Sequence, residues 1–110
     1  MRILERKLND SISSHIMFVM IADIQLKEGA EENFKKWFAE SNKTLCTFPG
    51  FISRKFLKSP DGTYRILVEH ESKETFIKMH QSPEHEKLHS MATSYMEKLP
   101  EPKFYTVVSQ

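Results

Sequence analysis

The chain of 110 residues is 39% apolar and 28% charged with a formal net charge of +1, the make-up of one ordinary globular domain. Its Lys and Arg residues are scattered rather than gathered into a stripe, so neither a nucleic-acid footprint nor attraction to an anionic membrane is written into it. The single cysteine, Cys46, excludes an internal disulfide and suits a reducing cytoplasm, and no apolar run reaches the length of a membrane span.

Residues 1–15, MRILERKLNDSISSH, are weakly patterned and broken by Asn9-Asp10-Ser11 and Ser13-Ser14. They read as an extension ahead of a domain spanning residues 16–110. Met1 to Asp10 mixes both charge signs, and the run from Ile16 to Ile24 lacks a small-residue cleavage pattern, so no signal peptide is expected.

Ile16 to Leu26 is the clearest strand. Its even positions are all apolar, while its odd positions turn polar at Asp23 and Gln25. With a side-chain period of two, the first half is buried on both faces and needs a layer on each side. Lys27-Glu28-Gly29 turns the chain, and Glu31 and Glu32 open a helix where its dipole favours carboxylates. Phe34, Trp37, Phe38, Ser41 and Leu45 then form one helical stripe, which reads as core. Cys46 at its end reads as a small buried apolar residue.

Phe48-Pro49-Gly50 ends that helix. Phe51 to Ser59 and Thr63 to Glu71 are strands joined by Ser59-Pro60-Asp61-Gly62, whose Pro and Gly are turn residues, so the two form a hairpin. Ser72 is an N-cap for a short helix carrying Phe76, Met79 and His80 on one side. Ser82-Pro83 restarts a second helix, with Ser as cap and Pro in the first turn. The stripe Leu88, Met91, Ala92, Tyr95, Met96 and Leu99 predicts that this helix runs to Leu99. Pro100-Glu101-Pro102 stops it, and Lys103 to Ser109 is a last strand. The order strand, helix, strand, strand, helix, strand is the split βαβ, ferredoxin-like arrangement of an α+β fold. Helices cover one face of the antiparallel sheet. The other face, also apolar in part, is left for a second copy of the chain.

Four of the five histidines, His70, His80, His85 and His89, lie between Tyr64 and Leu99, and His85 to His89 spells H-E-x-x-H. Such a pair of imidazoles one turn apart with a Glu between them is the signature of a zinc protease helix. That chemistry needs a third ligand. No histidine follows His89, and Glu97 and Glu101 are the only later carboxylates, so no metal site is expected. The three glycines stand singly at turns, which leaves no Gly-rich loop for a flavin or nicotinamide.

From Phe18 to Val108 the chain resembles the antibiotic biosynthesis monooxygenase domains. The landmarks are FVMIADIQLKEGAEENFKKWF, TFPGFISRKFL, SPDGTYRILVEHESKETFIKMHQSPEHEKL and the late FYTVV, in that order. The resemblance implies a dimeric α+β barrel, two ferredoxin-like sheets packed face to face, with a pocket in each subunit between sheet and helices. Some such proteins oxidise phenols or quinols with O2 and no cofactor, others bind and degrade haem, and others have no established reaction. Where haem-degrading members carry an Asn in the first strand and a Trp in the second helix region, this chain has Ala22 and Met79. The position of their haem-ligating His falls on His89. Many relatives carry a Trp where this chain has His70.

These readings lead to a cytoplasmic homodimer that oxidises a small aromatic, a phenol or quinol, with O2 and no organic cofactor. His89 is the first candidate base and His70 the second. Phe34, Trp37, Phe76 and Met79 are expected to line a dry pocket that shelters reactive intermediates. Two other functions fit the same fold: a non-catalytic dimeric small-molecule-binding or stress-response module, and a haem-binding or haem-degrading protein using His89.

Overall fold

A computed structural model describes residues 17–110; the expected extension at residues 1–15 lies outside the described residues. The elements are β1 (Phe18–Ile24), α1 (Glu31–Leu45), β2 (Phe51–Lys58), β3 (Tyr64–His70), α2 (Lys73–His80), α3 (Pro83–Thr93) and β4 (Glu101–Thr106). The strands form one antiparallel sheet in the order β2-β3-β1-β4. This is the ferredoxin-like α+β fold, with its second helix broken in two.

Register sorts the side chains onto two faces. Phe18 lies opposite His70, Met20 opposite Val68 and Ala22 opposite Ile66, and Val68 and Ile66 in turn lie opposite Arg54 and Phe56 of β2. These positions share the face covered by the helices, because side chains alternate along a strand. The core forms there: Phe18, Ile24, Ile66 and Val68 from the sheet meet Phe34, Trp37 and Phe38 of α1, Phe76 of α2 and Ala92 of α3. The other face carries Val19, Ile21, Leu67 and Tyr105 among charged residues, with Tyr105 47% exposed.

Local chemistry sets the helix boundaries. The Ser72 side chain accepts from the Thr75 N–H at 3.2 Å, and the Ser72 N–H donates to Thr75 Oγ1 at 3.3 Å, a reciprocal cap at the start of α2. Ser82 accepts from the His85 N–H at 3.1 Å with Pro83 following it, which restarts the chain as α3. Gly50 has φ +84°, and a Cβ there would stand 2.4 Å from Thr75. The turn before β2 therefore needs glycine twice over, for backbone freedom and for close approach.

Three expectations are corrected. The last helix stops at Thr93 rather than Leu99. Beyond it the chain is tied to the continuation of β1 instead: Lys27 donates its N–H to the Tyr95 carbonyl at 2.9 Å, Glu97 donates to the Gln25 carbonyl at 2.8 Å, and Leu26 bridges Met96. The apolar stripe from Tyr95 to Leu99 is thus divided; Met96 is buried and Leu99 is 69% exposed. Cys46 is exposed rather than buried, because α1 turns its stripe inward at Leu45 and the next residue faces out. Finally, β4 begins at Glu101 and takes in Pro102. A proline is tolerated there because β4 is an edge strand.

Candidate functional site

Between the sheet and the helices lies a cavity of about 240 Å³. Met20, Ala22, Ile66 and Val68 give it an apolar floor from β1 and β3. Met79, Leu88 and Ala92 of α2 and α3 face them, and Trp37 of α1 closes one side. The cavity exists because the floor is built from small and medium side chains. Ala22, only 3% exposed, stands at its centre of register where a larger residue would fill the space.

Three histidines line this cavity, brought together by the break between α2 and α3. His80 is the last residue of α2, and the restart at Ser82 places His85 in the first turn of α3, with its ring 4.3 Å from that of His80. One turn further, His89 stacks 6.3 Å from His85. Phe76 stacks on His80 from the other side at 5.4 Å, so Phe76, His80, His85 and His89 make a continuous row of rings. Burial, with the neighbouring positive charges of His80, His89 and Arg54, holds the His85 imidazole down at about 4. Burial also lowers His80. His85 is consequently neutral at physiological pH and a weak base.

Arg54 completes the site. Its place opposite Val68 in β2 turns it toward the helices, and it lines the cavity. The guanidinium lies 4.0 Å from the Phe38 ring centre and 5.4 Å from that of Trp37. Nη1 donates to Ser41 Oγ at 2.8 Å and to Asn42 Oδ1 at 2.7 Å. Both partners are neutral. Among the described residues no carboxylate lies within ion-pair distance of it. Desolvation pulls its pKa down to about 10, so it stays charged.

Of the residues singled out from the sequence, His89, Trp37, Phe76 and Met79 line this one cavity. Phe34 and His70 do not. Phe34 is fully buried between Trp37, Phe56 and Tyr95 in the core beside it. His70 is also fully buried, with Nδ1 3.1 Å from Thr75 Oγ1 and Nε2 3.3 Å from Met79 Sδ. Both ring nitrogens are engaged and desolvation lowers the pKa of the ring, so the residue pins α2 onto the end of β3. Arg54 was missed by sequence reasoning. The signal was present: counting back by two from Phe56 places Arg54 on the inward face of FISRKFLK. Glu86 of the H-E-x-x-H run is exposed and outside the cavity lining. Among the described residues, no three His, Cys, Asp or Glu side chains are arranged to hold a metal ion.

The fold and site together define a class: a ferredoxin-like α+β domain with a cavity between its sheet and its broken second helix. Residues 17–91 match the family of antibiotic biosynthesis monooxygenases, and the chain belongs to that family. Solved structures share the fold. A conserved protein from Methanosarcina mazei superposes with a TM-score of 0.75 at 13% identity, covering 87% of this chain and 97% of that one. Rv0793 from Mycobacterium tuberculosis gives 0.73 at 12% identity, covering 86% and 97%. SnoaB from Streptomyces nogalater, a cofactor-independent oxygenase, gives 0.69 at 18% identity, covering 86% and 94%. No curated protein matches the chain.

Proposed function

We propose that this protein is a monooxygenase that oxidises a small phenol or quinol with O2 and without an organic cofactor. The observation that carries the reading is the cavity itself, apolar on its floor and edged by a row of imidazoles, in a chain of this family. The cofactor-independent chemistry of SnoaB, which shares the fold, supports it. Proton removal is assigned to His89, which is exposed at the cavity edge, so that a proton passes readily to solvent. Loss of that proton leaves the substrate as an anion. That anion transfers an electron to O2, the two radicals join at a ring carbon, and loss of water leaves a quinone. One oxygen atom enters the product and the other leaves as water, with both electrons supplied by the substrate. The apolar floor keeps bulk water from the intermediates.

Two copies of the chain packed through the open sheet face are part of the same proposal, because Val19, Ile21, Leu67 and Tyr105 form an apolar strip there. Haem fits the cavity poorly. At about 240 Å³ the cavity is scaled to a single aromatic ring rather than to the much larger porphyrin.

Oxygen uptake on a panel of phenols and quinols tests the reading. Uptake that yields quinone and falls at least about a hundredfold in His89→Ala is expected. Silence across the panel would overturn it and favour a binding module of the same fold.

A further inference from the structure

The ionisable groups lining the cavity are Arg54, His80, His85 and His89, and no Asp or Glu is among the lining residues. Arg54 is the permanent charge of the set. Its Nη1 is spent on Ser41 and Asn42, while Nε and Nη2 have no hydrogen-bond partner among the described residues. Beside it, the Trp37 Nε1 is buried with no hydrogen-bond partner among the described residues, in a residue only 7% exposed. A buried donor left unpaired is costly, and a guanidinium held by neutral groups alone keeps its charge uncompensated. Arg54 and Trp37 both line this cavity, and Arg54, opposite Val68 in the sheet, stands beside the apolar floor.

We infer that the natural ligand of this cavity is an anion: a small aromatic acid whose carboxylate is held by Arg54, with Trp37 beside it. The guanidinium offers two unspent nitrogens, Nε and Nη2, in the fork geometry that matches a carboxylate. The aromatic ring of the ligand then lies over Ala22, Ile66 and Val68. The inference rests on the reading of this cavity as the substrate site, and it narrows the substrate class from phenols in general to hydroxyaromatic acids. Arg54 is a binding residue in this account and takes no part in proton removal.

Calorimetric titration with 4-hydroxybenzoate and with 4-hydroxybenzamide tests it without any turnover. The two differ in charge and hardly at all in shape. The acid is expected to bind at least about tenfold more tightly, as a charge-assisted bidentate contact requires. Arg54→Gln should abolish that preference by weakening the acid while leaving the amide within about threefold, and Arg54→Lys should restore part of it. Quenching of the fluorescence of Trp37, the only tryptophan, should accompany binding of the acid. Equal affinity for acid and amide in the unmodified protein, a preference that survives in Arg54→Gln, or no binding of either compound would overturn the inference. If Arg54→Gln fails to fold, the comparison in the unmodified protein and in Arg54→Lys decides. A protein that prefers the acid but consumes no oxygen would refute the oxygenase reading alone. One that oxidises neutral phenols and ignores the acid would refute the anion site alone.

Discussion

His70 and His89 show how one residue type meets opposite surroundings within one domain: His70 is buried and His89 exposed. His70 is sealed from solvent and bonded through both nitrogens. Its replacement by Ala would empty a core site and strand Thr75 and Met79, at a cost of about 2–4 kcal/mol in a urea melt. His89→Ala should leave the melt within about 0.5 kcal/mol, since surface substitutions away from packed contacts seldom do more. The buried imidazoles also set an acid limit. His70, His80 and His85 all titrate below their ordinary 6.5 in the folded protein, His85 at about 4. In the unfolded chain they take up protons near 6.5. Between those values the unfolded state binds more protons, so stability is fully present above 6.5 and declines as pH falls toward 4. Denaturant midpoints measured across that interval should fall, and His85→Gln should flatten the decline. A midpoint independent of pH over this range would contradict the burial assigned to these rings.

At the scale of elements, the break between α2 and α3 is what makes the site. Ser72 and Ser82 start the two helices, and the restart turns His85 and His89 toward His80. Gly50 supports this from outside, because its missing side chain lets the turn before β2 close on Thr75, the residue that both caps α2 and holds His70. Gly50→Ala combines left-handed strain with a 2.4 Å clash and should cost at least about 2 kcal/mol in thermal or denaturant unfolding. An unchanged melting temperature would refute that account of the turn. Most of these elements were legible in the sequence. Capping serines, the Ser-Pro restart and period-two strands are local signals, and they placed both ends of β1, β2 and β3 and the starts of α2 and α3 within two residues. The end of α3 was not, because Tyr95 and Glu97 are diverted by backbone bonds to Lys27 and Gln25, far away in sequence. A helical stripe carries no trace of that competition.

For the whole molecule, the same sheet serves two layers. Its inner face makes the core and the cavity floor, and its outer face presents Val19, Ile21, Leu67 and Tyr105. A proposed dimer buries that strip, so Leu67→Arg should shift the mass in light scattering from dimer to monomer at micromolar concentration. A monomeric mass for the unmodified protein would refute the dimer. The cavity was only partly legible. Trp37, Phe76, Met79 and His89 could be named from helical faces, whereas His70 could not be told from a pocket residue, since a strand pattern shows which face a side chain occupies but not what closes over it. Arg54 escaped notice because β2 interleaves charges on both faces. No described helix is long and apolar enough to cross a membrane.

The proposed aromatic ligand enters this cavity and not the open sheet face. Titration of the isotope-labelled protein with 4-hydroxybenzoate, followed by backbone and methyl chemical shifts, tests it most directly. Ala22, Met79, Ala92 and the His89 amide should move together and saturate with one constant, while Val19, Ile21 and Leu67 stay still. Shifts confined to the outer-face residues, or no saturable shifts at the cavity residues, would contradict the account.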